Sequence, residues 1–270
     1  MKATIVVDNI GTMSLPGEWG LCIYIEHGDK KILLDTGASN LFKDNMEKLG
    51  IDIAEIDAAI LSHAHYDHAN GMEDFLEANR KAKFYVQNTT AENCYFKMKF
   101  LKKYIGIPKN IMEKYKDRII VSNGNEQIFE GVSLIPHTTG GLELLGKRER
   151  MYQKTGRKWY PDNFSHEQSL VFDTEKGLVI FNSCSHGGVI NSINEVKKAF
   201  PEKNVYGYIG GFHIFKKPEA EIRELAEKIR QTGISYVCTG HCSGERGYRI
   251  LHDELGDMVR QMSVGLVQEF

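Results

Sequence analysis

Nowhere in the 270 residues does an apolar run approach the roughly 20 residues that a membrane helix needs, so neither a membrane span nor a membrane partner is expected. Cationic excess is lacking too. Against 36 Asp and Glu there are 34 Lys and Arg, a net charge of −2, which argues against a general affinity for nucleic acid, since that requires a basic face. Cysteine is sparse and unpatterned: Cys22, Cys94, Cys184, Cys238 and Cys242 form no CxxC pair and no regular framework. An odd number of cysteines, after a strand-like opening "MKATIVVDNIG" rather than a secretion signal, reads as reduced thiols in a cytoplasmic protein. Repeats of solenoid length and low-complexity linkers are missing. What is present is 41% apolar residues, enough for a substantial core, on a length that one large domain, residues 1–270, can account for. Oligomeric state is left open.

Along the chain, residues 3–8 read as a strand, and "LCIYIEHGDKKILLDTG" as two strands around Gly28-Asp29, ending at Asp35-Thr36-Gly37. Residues 40–49 have helical spacing, and 58–61 form a short apolar strand. Strands are expected again at 83–88, within 118–136, and at 168–173, 177–183, 205–209 and 235–238, with helices at 189–199, 218–232 and 245–259. Hairpins come first, then strands alternating with helices, which predicts an α/β sandwich rather than a pure parallel sheet. Two stretches interrupt the pattern. Residues 89–117 read as two short helices about Gly106-Ile107-Pro108, and residues 140–166 as a polar, irregular segment.

Just after the apolar strand comes "LSHAHYDHANG", with His63, His65, Asp67 and His68 inside six positions. A helical zinc motif spaces its histidines i, i+4 on one face; these do not, and fit an extended segment turning into a helix. Alternation along the strand end puts His63 and His65 on one side, and the turn at Asp67-His68 can approach the same point from another direction. The geometry suits two neighbouring metals, His63 and His65 on one and Asp67 and His68 on the other. Imidazole with carboxylate suits zinc, with iron or manganese as alternatives. A histidine-rich surface loop is the plainer alternative.

The full H-x-H-x-D-H pattern in "SHAHYDH" resembles the metallo-β-lactamase superfamily, and "IYIEHGDKKILLDTG" resembles the hairpin that precedes that pattern there, with Asp35 as its strand-end aspartate. The resemblance implies a four-layer αβ/βα sandwich with metals at one edge between two sheets. It also implies further ligands on later strand ends. "GLVIFNSCSHGG" places Cys184 where many members carry a bridging aspartate, followed by His186, and "CTGHCSGE" supplies His241. His137 in "LIPHTTGG" fits the usual histidine position only loosely, so that role goes to His186. The expected metal set is therefore His63, His65, Asp67, His68, Cys184, His186 and His241; for Cys184, a buried inert thiol is the open alternative. Together "SHAHYDHANG", "CSHGGVIN", "GGFHIF" and "TGHCSGE" resemble the branch named for the methanopterin-pathway synthase that joins a dihydropterin to ribofuranosylaminobenzene phosphate.

The implied chemistry is hydrolysis by a metal-activated water, with Asp67 orienting that water and His213 of "GGFHIF" as a substrate or proton-transfer group. Arg148, Arg157, Lys158 and Trp159, in the 140–166 insert, suit a small anionic, phosphorylated substrate on a planar ring, unless that stretch is simply a solvated loop. Other readings are a pterin-transferring synthase, a thioesterase or lactonase, and a non-enzymatic metal-holding binding protein.

Overall fold

A computed structural model describes residues 1–270. The first half runs β1 (Lys2–Val7), β2 (Cys22–His27), β3 (Lys30–Leu34), α1 (Leu41–Lys48), β4 (Ala58–Ile60), α2 (Tyr66–Ala69), α3 (Met72–Ala78), β5 (Lys83–Gln87), β6 (Cys94–Met98), β7 (Leu101–Tyr104), α4 (Ile111–Lys114), β8 (Ile119–Ser122), β9 (Glu126–Phe129) and β10 (Val132–Pro136). The second half runs α5 (Glu143–Glu149), β11 (Met151–Thr155), β12 (Lys158–Pro161), β13 (Gln168–Thr174), β14 (Gly177–Phe181), α6 (Val189–Ala199), β15 (Val205–Ile209), α7 (Glu219–Thr232), β16 (Tyr236–Thr239), α8 (Gly244–Leu255), β17 (Val259–Gln261) and β18 (Val267–Glu269).

Two seven-stranded sheets, ordered β18-β1-β2-β3-β4-β5-β8 and β17-β16-β15-β14-β13-β10-β9, stack face to face. Each starts antiparallel and becomes parallel, from β3 onward in the first sheet and from β14 onward in the second. Side-chain alternation assigns the layers. In β3, Ile32 and Leu34 pack between the sheets against Phe172 and Phe181, whereas Leu33 faces Phe42 and Met46 of α1 and Phe75 of α3. In β13, Leu170 and Phe172 point between the sheets, and Val171 points to the layer holding Ile193 of α6 and Ile222 of α7. Strands covered on both faces read as continuous apolar runs, which explains "KILL" and "LVIF". The result is the four-layer αβ/βα sandwich.

The two interrupting stretches differ from expectation. Residues 94–104 form the hairpin β6–β7 rather than helices, and residues 140–166 hold α5 and the hairpin β11–β12. The hairpins join as a third sheet, β12-β11-β6-β7, with Cys94 opposite Gln153 and Phe96 opposite Met151. Pairing across more than fifty residues leaves no local signal in either segment.

Parallel strands present their carboxyl ends together, and in open α/β sheets ligands gather there. The ends of β3, β4, β14, β15 and β16 deliver Asp35, the His63–His68 segment, Cys184 with His186, His213, and His241. Three of these residues have left-handed backbone, Asp35 (φ 60°), His213 (50°) and His241 (45°), as does Ser185 (49°) between Cys184 and His186. Non-glycine residues are uncommon there, and such strain collects at functional sites.

Candidate metal centre

His65 is extended and caps the short helix α2, so His63 and His65 leave the strand end while Asp67 and His68 belong to the first turn. All four are buried, as are Cys184, His186 and His241. The seven expected ligands meet. His65 Nδ1 lies 3.2 Å from His186 Nε2, and His68 Nε2 lies 3.2 Å from both His241 Nε2 and Cys184 Sγ. Asp67 Oδ2 is 3.6 Å from His241 Nε2 and 3.9 Å from His68 Nε2. The His63 ring stands 4.2 Å from that of His68 and 4.9 Å from that of His186.

The hydrogen-bond network fixes where the protons sit. Asp35 Oδ2 accepts from His68 Nδ1 at 2.8 Å and from the Ser62 hydroxyl at 2.7 Å. Having spent its proton on Asp35, that hydroxyl can only accept from His63 Nδ1, 2.9 Å away. Asn9 donates through Nδ2 to the His241 carbonyl, leaving its Oδ1 to accept from His241 Nδ1 at 3.2 Å. His63, His68 and His241 therefore each carry hydrogen on Nδ1 and aim a lone pair from Nε2 inward. His63 Nε2 is buried without a partner. Lone pairs converging in a dry site repel one another unless a cation stands between them, and a buried polar atom without a partner is costly. The residues present thus fit divalent metal. Triads within ligand reach of one another are His63–His65–His186, His63–His68–Cys184 and Cys184–His241–Cys242.

Burial is the largest influence on most of these groups. It pushes His63 and His186 well below the ordinary histidine value, and His65 and His241 down to about 3, keeping their rings neutral and able to ligate. For His68 burial also works downward, but the Asp67 and Asp35 carboxylates outweigh it and the net shift is upward. Burial raises the Cys184 thiol.

A second buried group, His65, Cys94, Asp162 and His166, has the composition of a ligand set. Its hydrogen bonds argue for another role. Ala64 N–H donates to His166 Nδ1 at 3.2 Å, so the proton is on Nε2, which faces Asp162 Oδ2 at 3.2 Å. Both ring nitrogens are occupied. His166 clamps the peptide between His63 and His65, a role that its position in the sequence does not signal.

His213 reaches the centre, its ring 4.3 Å from that of His186 and its Nε2 3.8 Å from Glu149. His137 packs against Gly187, beside His186: its ring leaves no room for a side chain there, and its Nδ1 contacts Glu195 at 3.1 Å. Arg148 is held at the surface near Glu149 and Glu221. Arg157 occupies the β11–β12 turn, and Trp159 pairs with Lys154 on the side of the third sheet away from Phe96 and Met151. A cavity of about 220 Å³ opens over the metal cluster, and neither Arg148, Arg157, Lys158 nor Trp159 lines it. Its cation is Lys103, and its walls include Trp19, Tyr66, Phe96, Met151 and Phe215.

Sequence reasoning missed Lys103, Cys242, Trp19 and Glu167. Trp19 Nε1 donates to Asp67 Oδ2 at 2.9 Å. Glu167 accepts the backbone N–H of His186 at 2.7 Å and Asn182 Nδ2 at 2.9 Å. Cys242 sat next to His241 in "GHC", the one signal that could have been read.

Comparison with known proteins agrees with this picture. A family model described as "Metallo-beta-lactamase superfamily" matches residues 18–144. The 7,8-dihydropterin-6-methyl-4-(beta-D-ribofuranosyl)-aminobenzene-5'-phosphate synthase of Methanocaldococcus jannaschii is 26% identical over 257 residues, covering 89% of this chain and 85% of its own. The anti-Pycsar protein Apyc1 of Paenibacillus harenae is 26% identical over 178 residues, 61% of this chain and 71% of its own. A crystal structure described as a metal-dependent hydrolase of the beta-lactamase superfamily superposes with a TM-score of 0.85 at 26% identity, over 100% of this chain and 99% of that one.

Proposed function

We infer that this chain, a member of the metallo-β-lactamase superfamily by fold and motif, is a metal-dependent hydrolase of a small anionic, phosphorylated substrate. The observation that carries this reading is the convergence of proton-free imidazole nitrogens beneath a cavity whose cation is Lys103. His63, His65 and His186 would hold one ion and Asp67, His68 and His241 a second, with Cys184 between the two sets. Divalent metals, when bound, supply Lewis acidity and acidify water toward neutral pH.

The remaining work belongs to the chain. Asp35, Ser62 and Asn9 hold the ligand tautomers. Trp19 fixes the Asp67 carboxylate, leaving its other oxygen to orient water. Phe96, Ile105, Met151 and Phe215 exclude bulk solvent, which strengthens electrostatics inside the cavity. Lys103 meets the substrate anion, and His213, with Glu149 behind it, can hand a proton to the leaving group.

One observation favours a second reading. The synthase relative aligns over most of both chains, so pterin transfer at the same centre is the alternative activity. The two separate in a single experiment. Metal-loaded protein is offered a panel of phosphomonoesters, phosphodiesters and diphosphates, and in parallel a dihydropterin diphosphate with ribofuranosylaminobenzene phosphate. Turnover of the panel with Lys103→Ala raising KM supports hydrolysis; carbon–nitrogen coupling of the aryl amine to the pterin methylene, with diphosphate released, and no panel turnover supports the synthase; activity that survives complete metal removal sinks both.

A further inference from the structure

The third sheet carries an unusual charge distribution. Its hairpin 94–104 contains Lys97, Lys99, Lys102 and Lys103, and its hairpin 151–161 contains Lys154, Arg157 and Lys158; neither holds an acidic residue, on a chain whose net charge is −2. Lys109 and Arg148, outside the sheet, face Glu92 and Glu149, whereas none of the seven has a carboxylate within salt-bridge reach, and neither has Arg150 next to β11. On the outer face Lys97, Lys102 and Lys154 place their ammonium groups 5.1, 5.4 and 5.7 Å from the Trp159 ring. Gathering like charges this way costs free energy unless an anionic partner is met.

The tip of β6–β7 is equally unusual. The turn is Lys99-Phe100, with Lys99 in left-handed backbone (φ 49°), where Asn or Gly is the ordinary choice. Phe100 is 99% exposed, with Leu101 at 54% and Met98 at 38% beside it. Three large apolar side chains thus project from the molecule, ringed by lysines.

We propose that the β6–β7 tip, with the lysine-rich outer face behind it, docks the protein on an anionic lipid surface. Basic residues flanking projecting Phe and Leu are what an interfacial contact requires, and it needs no spanning helix; no helix here is long and apolar enough to cross a membrane. This departs from the expectation of no membrane partner, which rested on apolar run length. A two-fold contact through the same face would set Lys97, Lys102 and Lys154 of one copy against the same three of the other, so a second copy is disfavoured. A single-stranded nucleic acid needs open aromatic faces for stacking. Trp159 does not offer one: it is ringed by three ammonium groups, and its neighbour Tyr95 meets it edge-on at 5.1 Å. The exposed apolar groups make a wedge rather than a platform. The inner face of the same sheet supplies Phe96, Met151 and Lys103 to the cavity over the metal cluster, so docking would bring the site to the lipid surface.

The test uses the full chain in co-sedimentation with vesicles of phosphatidylcholine alone or mixed with phosphatidylglycerol. Binding is expected only with the anionic lipid. It should fade in about 1 M salt, where the screening length is roughly 3 Å. Two exposed variants probe the two parts. Phe100→Ser with Leu101→Ser keeps every charge, and Lys97→Gln with Lys102→Gln keeps the tip; each should weaken partitioning on the order of tenfold. Equal binding to neutral vesicles, or affinity indifferent to both variants, overturns the proposal. So does tighter binding to a single-stranded oligonucleotide than to the vesicles, or a dimer in solution that Phe100→Ser dissolves.

Discussion

Asp35 and His68 are both fully buried, and Asp35 Oδ2 accepts the His68 Nδ1 proton at 2.8 Å, turning the other ring nitrogen toward Cys184 and His241. The same carboxylate takes the Ser62 hydroxyl and amide protons, both at 2.7 Å, and so sets the tautomer of His63 as well. One residue at the end of β3 orients ligands on two sides of the centre. Asp35→Asn is the discriminating change, because Asn tolerates the left-handed backbone at this position. An amide has only one accepting oxygen, so its NH2 group must face either the Ser62 amide at the Oδ1 position or the His68 and Ser62 side-chain donors at Oδ2. Metal affinity should fall by about 10–100-fold with little change in fold, as calorimetric titration with zinc would show. Wild-type affinity in this variant would remove Asp35 from the account.

His166 holds the peptide between His63 and His65 through the Ala64 amide. His166→Phe leaves that buried N–H without an acceptor and Asp162 without its donor. Such a loss costs roughly 1–3 kcal/mol, read from the denaturant midpoint of the metal-free protein, and metal affinity should drop with it. Reduced stability with metal binding untouched would make His166 a packing residue only.

Cys184 Sγ lies 3.2 Å from His68 Nε2 and within reach of Cys242. Cys184→Ser should lower the number of metal ions retained after dialysis, since thiolate binds zinc more firmly than a hydroxyl does. If metal content stays at the wild-type figure, Cys184 only fills space.

Acid should destabilise the metal-free protein. Burial holds His65 and His241 at about 3, against the ordinary 6.5. The unfolded chain therefore takes up protons that the folded one refuses, and stability falls as pH drops from 6.5 toward 3. Asp8 acts oppositely. Burial raises it to about 6, so its contribution is present below 3.8 and is lost as pH rises through 6. His63, His186, Asp162 and Glu195 are also held down and act with the two histidines. His68, His137 and His166, where burial is outweighed by neighbouring carboxylates, are held up and act with Asp8. The depressed groups are the more numerous and leave a net loss on acidification. A melting temperature that rises between pH 6.5 and pH 4 would contradict this sign.

Much of the centre could be read from sequence because it is local. His63, His65, Asp67 and His68 lie on one strand-to-helix turn, where their spacing carries the pattern, and Cys184 with His186 lie at another strand end, where the resemblance to the metallo-β-lactamase superfamily implied them. The α/β sandwich was legible for the same reason: doubly covered strands appear as apolar runs. What escaped depends on distant pairing. Trp19 reaches Asp67 across 48 positions, and Lys103 reaches the cavity only because β6 pairs with β11. The cations at 148–158 were visible as charge, but which sheet face they would occupy depended on a register that neither hairpin encodes by itself.

The most direct test is anomalous diffraction from crystals of metal-loaded protein, collected at the absorption edge of the bound element. The account predicts one peak among His63 Nε2, His65 Nδ1 and His186 Nε2, and another among Asp67, His68 Nε2 and His241 Nε2, with Cys184 Sγ beside them. Metal found only elsewhere on the molecule, with these nitrogens bonded to one another or to protein donors, would contradict it.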